Sequence, residues 1–165
     1  TILREVFKNP LFRSYSTGKI STETIYSEIN RMFSLDMDFS RFTQLWCDVF
    51  SPMHGMEEIV ECVSARFRTG ILSDTDPLHW EFVVREYPIL KHIPNRTLSF
   101  EIGALKPDPV CYRKAAENVA VPIQACLFID DRDINVRGAL NSGMQAIRFE
   151  SVTQIETALK KHGIL

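Results

Sequence analysis

The sequence predicts an α/β protein in which a parallel, Rossmann-like sheet carries helices on both faces and a small helical domain is attached. The first 66 residues space their apolar side chains as helices do and contain no convincing strand. From Arg68 onward, short apolar runs alternate with helical segments. The length of 165 residues suits one domain with a smaller insertion. We therefore expect a helical domain over residues 1–54 and an α/β core over residues 55–165.

The helical half is predicted from its capping residues and apolar stripes. Ser21 suits the N-cap of a first helix, and either Asp38 or Ser40 suits the N-cap of the next. A third helix is predicted over residues 56–66. The second of these helices carries the apolar stripe Phe42, Leu45, Trp46 and Val49.

Four strands are predicted in the second half, at residues 69–73, 97–100, 125–130 and 144–149. The run at 125–130 is the strongest, because it is continuously apolar and ends abruptly in carboxylates. Helices are predicted to start at Pro109, with Asp108 as N-cap, and to cover residues 135–142 and 152–162. Strands that alternate with helices in this way indicate a parallel sheet.

Composition excludes several classes of function. Hydrophobic residues make up 45% of the chain, charged residues 24%, and the net charge is −2. This balance supplies no basic surface for nucleic acid and no polybasic arm for membranes. No apolar run reaches the ~20 residues of a membrane span, and no signal peptide opens the sequence. The four cysteines form no CxxC pair, which argues against structural zinc. We expect a soluble, cytoplasmic protein with no nucleic-acid or membrane partner.

Polar residues follow the predicted strands where a parallel sheet binds its ligands, at the carboxyl ends. Residues 73–76 follow one strand, Asp130 and Asp131 follow another, and Lys106 lies in a loop. Two adjacent carboxylates are costly unless a cation or a lysine neutralises them. Mg²⁺ accepts carboxylate oxygens, waters and substrate phosphate, and a lysine adds a charge for phosphate oxygens. These residues predict a magnesium-dependent site that handles phosphate.

Three segments carry a family resemblance. GILS at 70–73, GALKPDP at 103–109 and LFIDDRDIN at 127–135 resemble, in order and spacing, the second, third and fourth motifs of the haloacid dehalogenase superfamily. A closer resemblance is to the small bacterial sugar-phosphate phosphatases, including the α-D-glucose-1-phosphate phosphatase type. It is carried by the segments GKIS at 18–21, SDTDPLH at 73–79 and REYP at 85–88. The resemblance extends over nearly the whole chain.

The resemblance implies roles for the residues that handle the phosphoryl group. Ser73 would donate a hydrogen bond to it, and Lys106 would neutralise it and steady the attacking carboxylate. Asp74 and Thr75 would contact the substrate, and the helical domain would close over it as a cap. Asp74 stands where the subgroup usually has Asn. Since an ionised carboxylate repels phosphate, Asp74 either points away or weakens substrate binding.

The resemblance also implies a metal site and a reaction. Asp131 would ligate Mg²⁺ directly, Asp130 would reach it directly or through water, and Asn135 would orient the metal loop. The reaction would be hydrolysis of a small phosphate monoester, with a sugar phosphate as one candidate, through an aspartyl-phosphate. The paired aspartates argue against the metal-free dehalogenase branch. Both a monomer and a homodimer stay open.

One departure from the family pattern concerns the nucleophile, an Asp in an Asp-x-Asp motif that ends a central first strand. Asp36 and Asp38 have that spacing, but we interpret them as a turn and an N-cap. Without the first strand, two strand edges would flank a gap in the core. We therefore expect a strand-loop-helix segment of about 30 residues to precede Thr1 in the encoded protein, and we expect the chain without it to be inactive.

Two other readings remain beside the phosphatase. The first is a non-catalytic protein that keeps this scaffold for binding or assembly, which the absent nucleophile and Asp74 both favour. The second is a receiver-like or flavodoxin-like binding module. The helical first half and the Lys106-Pro107 segment argue against that module.

Overall fold

The computed structural model describes residues 9–165. Short helices and four strands follow one another in the order α1 Pro10–Ser16, α2 Thr22–Phe33, α3 Phe39–Cys47, α4 Met56–Ser64, β1 Gly70–Ser73, α5 Pro77–Glu86, β2 Asn95–Leu98, α6 Ser99–Ile102, α7 Pro109–Val119, β3 Leu127–Asp130, α8 Asp133–Asn141, β4 Gln145–Arg148 and α9 Val152–Lys161. Two 3₁₀ turns, Pro88–His92 and Ile123–Ala125, complete the set. None of the helices in this part of the chain is long and apolar enough to cross a membrane.

The chain divides into two compact units. The helical unit comprises Thr1–Ser51, Ser73–Tyr87 and Leu98–Leu105, and its first eight residues lie outside the described part. The sheet unit comprises Pro52–Leu72, Pro88–Thr97 and Lys106–Leu165. The predicted domain boundary after residue 54 stays a prediction.

The helical unit begins its helices at side-chain caps. The Ser21 hydroxyl accepts from the Thr24 backbone N–H, and the Asp38 carboxylate accepts from the Arg41 backbone N–H. Each cap satisfies a donor that the first helical turn leaves without a backbone partner. Asp38 is thus the N-cap that the sequence predicted. The core of this unit consists of Tyr15, Ile25, Ile29, Phe42, Trp46, Cys47 and Leu78.

The sheet unit is built on a parallel pair of strands. β3 pairs with β4 from Leu127 opposite Gln145 to Asp130 opposite Arg148. One cluster on this pair contains Tyr112, Ala116 and Phe128 together with other side chains of α7 and α8. A separate cluster joins Leu127 to side chains of α4 and α9. Because Leu127 and Phe128 alternate along β3, the two clusters cover opposite faces, and the predicted helices on both faces are confirmed.

The described strands form two separate two-stranded sheets, β1 with β2 and β3 with β4. One continuous sheet is the arrangement expected for this fold class, and residues 9–165 do not complete it. Within the sheet unit, β1 and β3 both line a groove of about 890 Å³. Ile71 and Leu72 line it from β1, and Leu127 and Ile129 line it from β3. No described strand connects the two sheets across this groove.

Two predicted strands differ at their ends from the structure. The strand predicted at 97–100 is β2, Asn95–Leu98, and the prediction is wrong for its last two residues, which begin α6. The Ser99 hydroxyl binds the backbone of Thr75 instead of continuing a strand. The strand predicted at 125–130 begins only at Leu127, because a 3₁₀ turn holds the preceding residues.

Candidate active site

A buried ion pair lies at the carboxyl end of β3. The Lys106 ammonium donates to the Asp130 carboxylate over 2.7 Å and to the Leu72 carbonyl over 3.2 Å. The two charged side chains are only 10% and 7% exposed. The ammonium also lies 5.6 Å from the centre of the Phe128 ring, a cation–π distance. Lys106 thus connects the end of β3 with the end of β1 inside the sheet unit.

Asp130 is held by further donors on its other oxygen. Its Oδ1 accepts from the Arg132 backbone N–H over 2.9 Å and from the Asn135 side-chain amide over 3.0 Å. Burial alone would raise the pKa of Asp130, but the Lys106 ammonium and these N–H donors hold the pKa below its ordinary value. Asp130 is therefore an ionised carboxylate with both oxygens engaged.

Asp131 has a different environment from its neighbour. Its residue is exposed, and its backbone carbonyl accepts from Arg148 Nε over 3.3 Å. Its carboxylate has no hydrogen bond or ion pair to any residue of the described range 9–165. Among these residues no group of three or more His, Cys, Asp and Glu side chains gathers to hold a metal ion. The site thus offers one carboxylate without a protein partner beside one that is fully hydrogen-bonded.

The loop after β1 holds the other predicted site residues and belongs to the helical unit. Ser73 ends β1 and is half-buried, whereas Asp74 is exposed. The Thr75 backbone N–H donates to the Ser99 hydroxyl over 2.9 Å, and that hydroxyl donates back to the Thr75 carbonyl over 2.9 Å. Ser99 fixes this loop and was missed as a strand residue. The roles predicted for Ser73, Asp74 and Thr75 stay predictions.

A second polar cluster, in the core of the helical unit, was also missed. The Asp76 carboxylate is fully buried and accepts from the Trp46 indole N–H over 3.1 Å and from His79 Nδ1 over 2.9 Å. His79 Nε2 lies 2.8 Å from the Trp46 carbonyl. Burial lowers the pKa of His79, but Asp76 and this carbonyl outweigh burial and raise the pKa above its ordinary value. The Asp-x-x-His spacing at the start of α5 is the local signal that could have found the pair.

The raised pKa of His79 predicts a pH dependence of stability. A folded pKa above the unfolded value of 6.5 means that the folded state binds more protons between the two values. The stabilisation is complete below the unfolded pKa and is lost as the pH rises through the folded one. We expect urea midpoints to fall over this range for the unchanged chain and for the exposed-site control His54→Gln. The slope should disappear in His79→Gln, and a slope that survives there would contradict the assignment.

Parallel strands covered by helices on both faces, with an acid pair at the carboxyl end of one strand, are the features of a Rossmann-like α/β protein. Comparison with protein families identifies the group within this class. The family model of haloacid dehalogenase-like hydrolases matches residues 31–143, and the chain belongs to that family.

Solved structures share this fold at low sequence identity. A haloacid dehalogenase-like hydrolase of Porphyromonas gingivalis superposes with a TM-score of 0.83 at 18% identity, covering 96% of this chain and 83% of that one. A haloacid dehalogenase family enzyme of Bacteroides thetaiotaomicron, in complex with magnesium and inorganic phosphate, gives a TM-score of 0.77 at 18% identity, covering 91% and 83%. L-2-haloacid dehalogenase of Xanthobacter autotrophicus gives 0.67 at 17% identity, covering 98% and 69%.

Two characterised relatives match in sequence. Flavin mononucleotide hydrolase 1 of Arabidopsis thaliana is 25% identical over 161 residues, which cover 95% of this chain and 64% of the relative. A phosphatase of Mycobacterium tuberculosis is 49% identical over 45 residues, which cover 27% of this chain and 21% of the relative. The matches thus span less than two thirds of either relative's length.

Proposed function

We propose that the protein is a magnesium-dependent phosphatase acting on a small phosphate monoester, with a sugar phosphate as one candidate. The observation that carries the proposal is the buried Lys106–Asp130 pair with the unpartnered Asp131 carboxylate beside it. A lysine and an oxygen ligand for a divalent cation are the charges that a transferring phosphoryl group needs. The relatives named as a flavin mononucleotide hydrolase and as a phosphatase support the same chemistry.

The residues at the end of β3 fit magnesium. Mg²⁺ keeps several waters and takes one or two carboxylates plus substrate phosphate, so it needs no larger protein cluster. Asp131 would hold the ion directly, and Asp130 would contribute through water, because Lys106, Arg132 and Asn135 occupy its oxygens. When bound, the ion would stabilise negative charge on the phosphoryl oxygens.

Each remaining site residue has a defined task in this proposal. Lys106 would neutralise the phosphoryl group, and Asn135 would keep Asp130 and its loop oriented. The Ser73 hydroxyl and the Thr75 segment, which Ser99 fixes, would bind the phosphoryl group and the substrate. The exposed Asp74 would repel phosphate unless it is turned away.

The attacking carboxylate is proposed to lie upstream of Thr1, at the end of a strand that fills the groove between β1 and β3. Two observations in the sheet unit support this placement. The groove separates the two sheets and is lined by apolar side chains of both. Asp130 is a poor nucleophile, because donors engage both of its oxygens. The 165-residue chain alone is therefore proposed to be inactive.

The test compares the 165-residue chain with the same chain extended upstream by its encoded segment. With Mg²⁺ and p-nitrophenyl phosphate, we expect turnover by the extended chain and none by the shorter one. In the extended chain, Asp131→Asn should remove most activity. Asp133→Asn is the matched control, because Asp133 forms only an exposed pair with Arg137 at 2.9 Å. Turnover by the 165-residue chain would contradict the placement of the nucleophile.

A non-catalytic binding protein is the second candidate function. The observation that favours it is the exposed Asp74, whose negative charge disfavours phosphate. An extended chain that fills the groove but shows no turnover, with or without Asp74→Asn, would favour this candidate. Turnover that increases in Asp74→Asn would instead support a phosphatase in which Asp74 limits substrate binding.

A further inference from the structure

Tyr112 is a fully buried tyrosine on α7 to which the proposed function assigns no task. Its hydroxyl donates over 2.8 Å to the backbone carbonyl of Asn135, in the first turn of α8. The side-chain amide of the same Asn135 donates to Asp130. One hydrogen bond therefore connects Tyr112 to the residue that holds the carboxylate of the buried ion pair.

The ring of Tyr112 leads to the other member of the pair. It meets the Phe128 ring edge-on, with 5.5 Å between the centroids and 82° between the planes. Phe128 in turn presents its ring to the Lys106 ammonium at 5.6 Å. Tyr112 is thus one residue removed from Asp130 through Asn135 and one residue removed from Lys106 through Phe128.

Gly138 makes this arrangement tight. A Cβ at this position of α8 would lie 2.6 Å from the Tyr112 hydroxyl oxygen and 2.7 Å from the Pro107 Cβ. Glycine is a poor helix former, so its place inside α8 is explained by the close approach of these two neighbours. Because Pro107 follows Lys106 directly, α8 contacts both Tyr112 and the loop that carries the lysine.

We propose that Tyr112, packed against Gly138, is a positioning residue that fixes the relative placement of Lys106 and Asp130. The hydroxyl fixes the carbonyl of Asn135 and through it Asp130, while the ring fixes Phe128 and through it Lys106. The catalytic consequence rests on the proposed phosphatase function. The geometric consequence concerns the folded chain alone and can be measured without turnover.

The first test removes only the hydroxyl and reads the two contacts by NMR. In ¹⁵N-labelled chain, Tyr112→Phe is expected to shift or broaden the side-chain signals of the Asn135 amide and the Lys106 ammonium. Tyr26→Phe is the matched control, because the Tyr26 hydroxyl also donates over 2.8 Å to a backbone carbonyl, that of Met37, in the helical unit. Both variants should lower the urea midpoint, but only Tyr112→Phe should move the two signals. Unchanged signals in Tyr112→Phe would overturn the proposal.

The second test adds the missing volume at Gly138. Gly138→Ala should move the same two signals, and Tyr112→Phe in that background should partly restore them, because it removes the oxygen at 2.6 Å. In an active extended chain, Tyr112→Phe should lower kcat about tenfold to a hundredfold at nearly unchanged KM, as expected for a small misplacement of reacting groups. Unchanged kcat in that variant would overturn the positioning role while leaving the phosphatase intact. An extended chain without turnover would remove the phosphatase proposal, and the NMR signals would still decide the positioning role.

Discussion

Lys106→Met is expected to destabilise the folded chain by about 3–5 kcal/mol, the usual cost of removing one partner of a buried ion pair. The Asp130 side chain is only 7% exposed, so its carboxylate would keep its charge with only N–H donors as partners. Such a loss is a large part of the ~5–15 kcal/mol by which domains are stable. Urea denaturation measures it as a lower midpoint at an unchanged m-value.

Two further variants separate burial of the pair from loss of a lysine. Lys160→Met removes a lysine that is 60% exposed and 2.6 Å from Glu156, so it should cost no more than about 1 kcal/mol. Replacing both members, Lys106→Met with Asp130→Leu, should recover much of the loss, because no uncompensated charge stays buried. If Lys106→Met cost no more than Lys160→Met, the pair would not be the buried element described above.

The same substitution has a catalytic effect of its own. In the extended chain, Lys106→Met should lower kcat about 10²–10³-fold, because it removes a fixed charge aimed at the phosphoryl oxygens. Normalising kcat to the folded fraction separates this loss from the loss of stability.

Features encoded within a few neighbouring residues could be predicted from the sequence. Ser21, Asp38 and Asp108 are N-caps as predicted, because a cap binds a backbone N–H two or three positions along the chain. β3 was recognised because an apolar run stops abruptly at Asp130. The approach of Lys106 to that acid, 24 residues away, agrees with the expectation that loop and strand-end charges meet at one edge of the sheet.

Features that depend on distant partners could not be predicted in this way. Ser99 was taken for a strand residue, because its partner Thr75 lies 24 residues earlier. The hydrogen bond from Tyr112 reaches a backbone carbonyl 23 residues later, and a main-chain acceptor leaves no sign in the sequence. The buried Asp76 needs the Trp46 indole, 30 residues before it, to complete its partners. Periodicity identifies the buried face of a helix but not the side chain that it meets.

The backbone of β3 provides the second large expected effect. The carbonyls of Cys126 and Asp130 accept from the Gln145 and Phe149 N–H groups, over 3.0 and 2.9 Å. Alternate residues of a strand direct their backbone groups to opposite edges, so Leu127 and the residue two positions later direct theirs away from β4. Both of these residues line the groove. The groove therefore presents a strand edge whose N–H groups have no strand partner among residues 9–165.

Hydrogen exchange can test whether an upstream strand occupies this edge. In the 165-residue chain, the amides of Leu127 and Ile129 should exchange rapidly, whereas Phe128, which faces β4, should be protected. In the extended chain, exchange at the first two should slow by several orders of magnitude, because their opening free energy rises from near zero towards the global value of about 5–15 kcal/mol. Phe128 is the internal control, since the strand should affect it far less.

The outcomes discriminate between occupants of the groove. Protection that requires the extension would support a strand that supplies the nucleophile next to Lys106. Protection already present in the short chain, and lost on dilution, would mean that a second copy occupies the edge, as unpaired strand edges invite. If both amides stay unprotected in the extended chain, the upstream aspartate has no place at the end of β3. The phosphatase would then need a different nucleophile, whereas a binding protein would not.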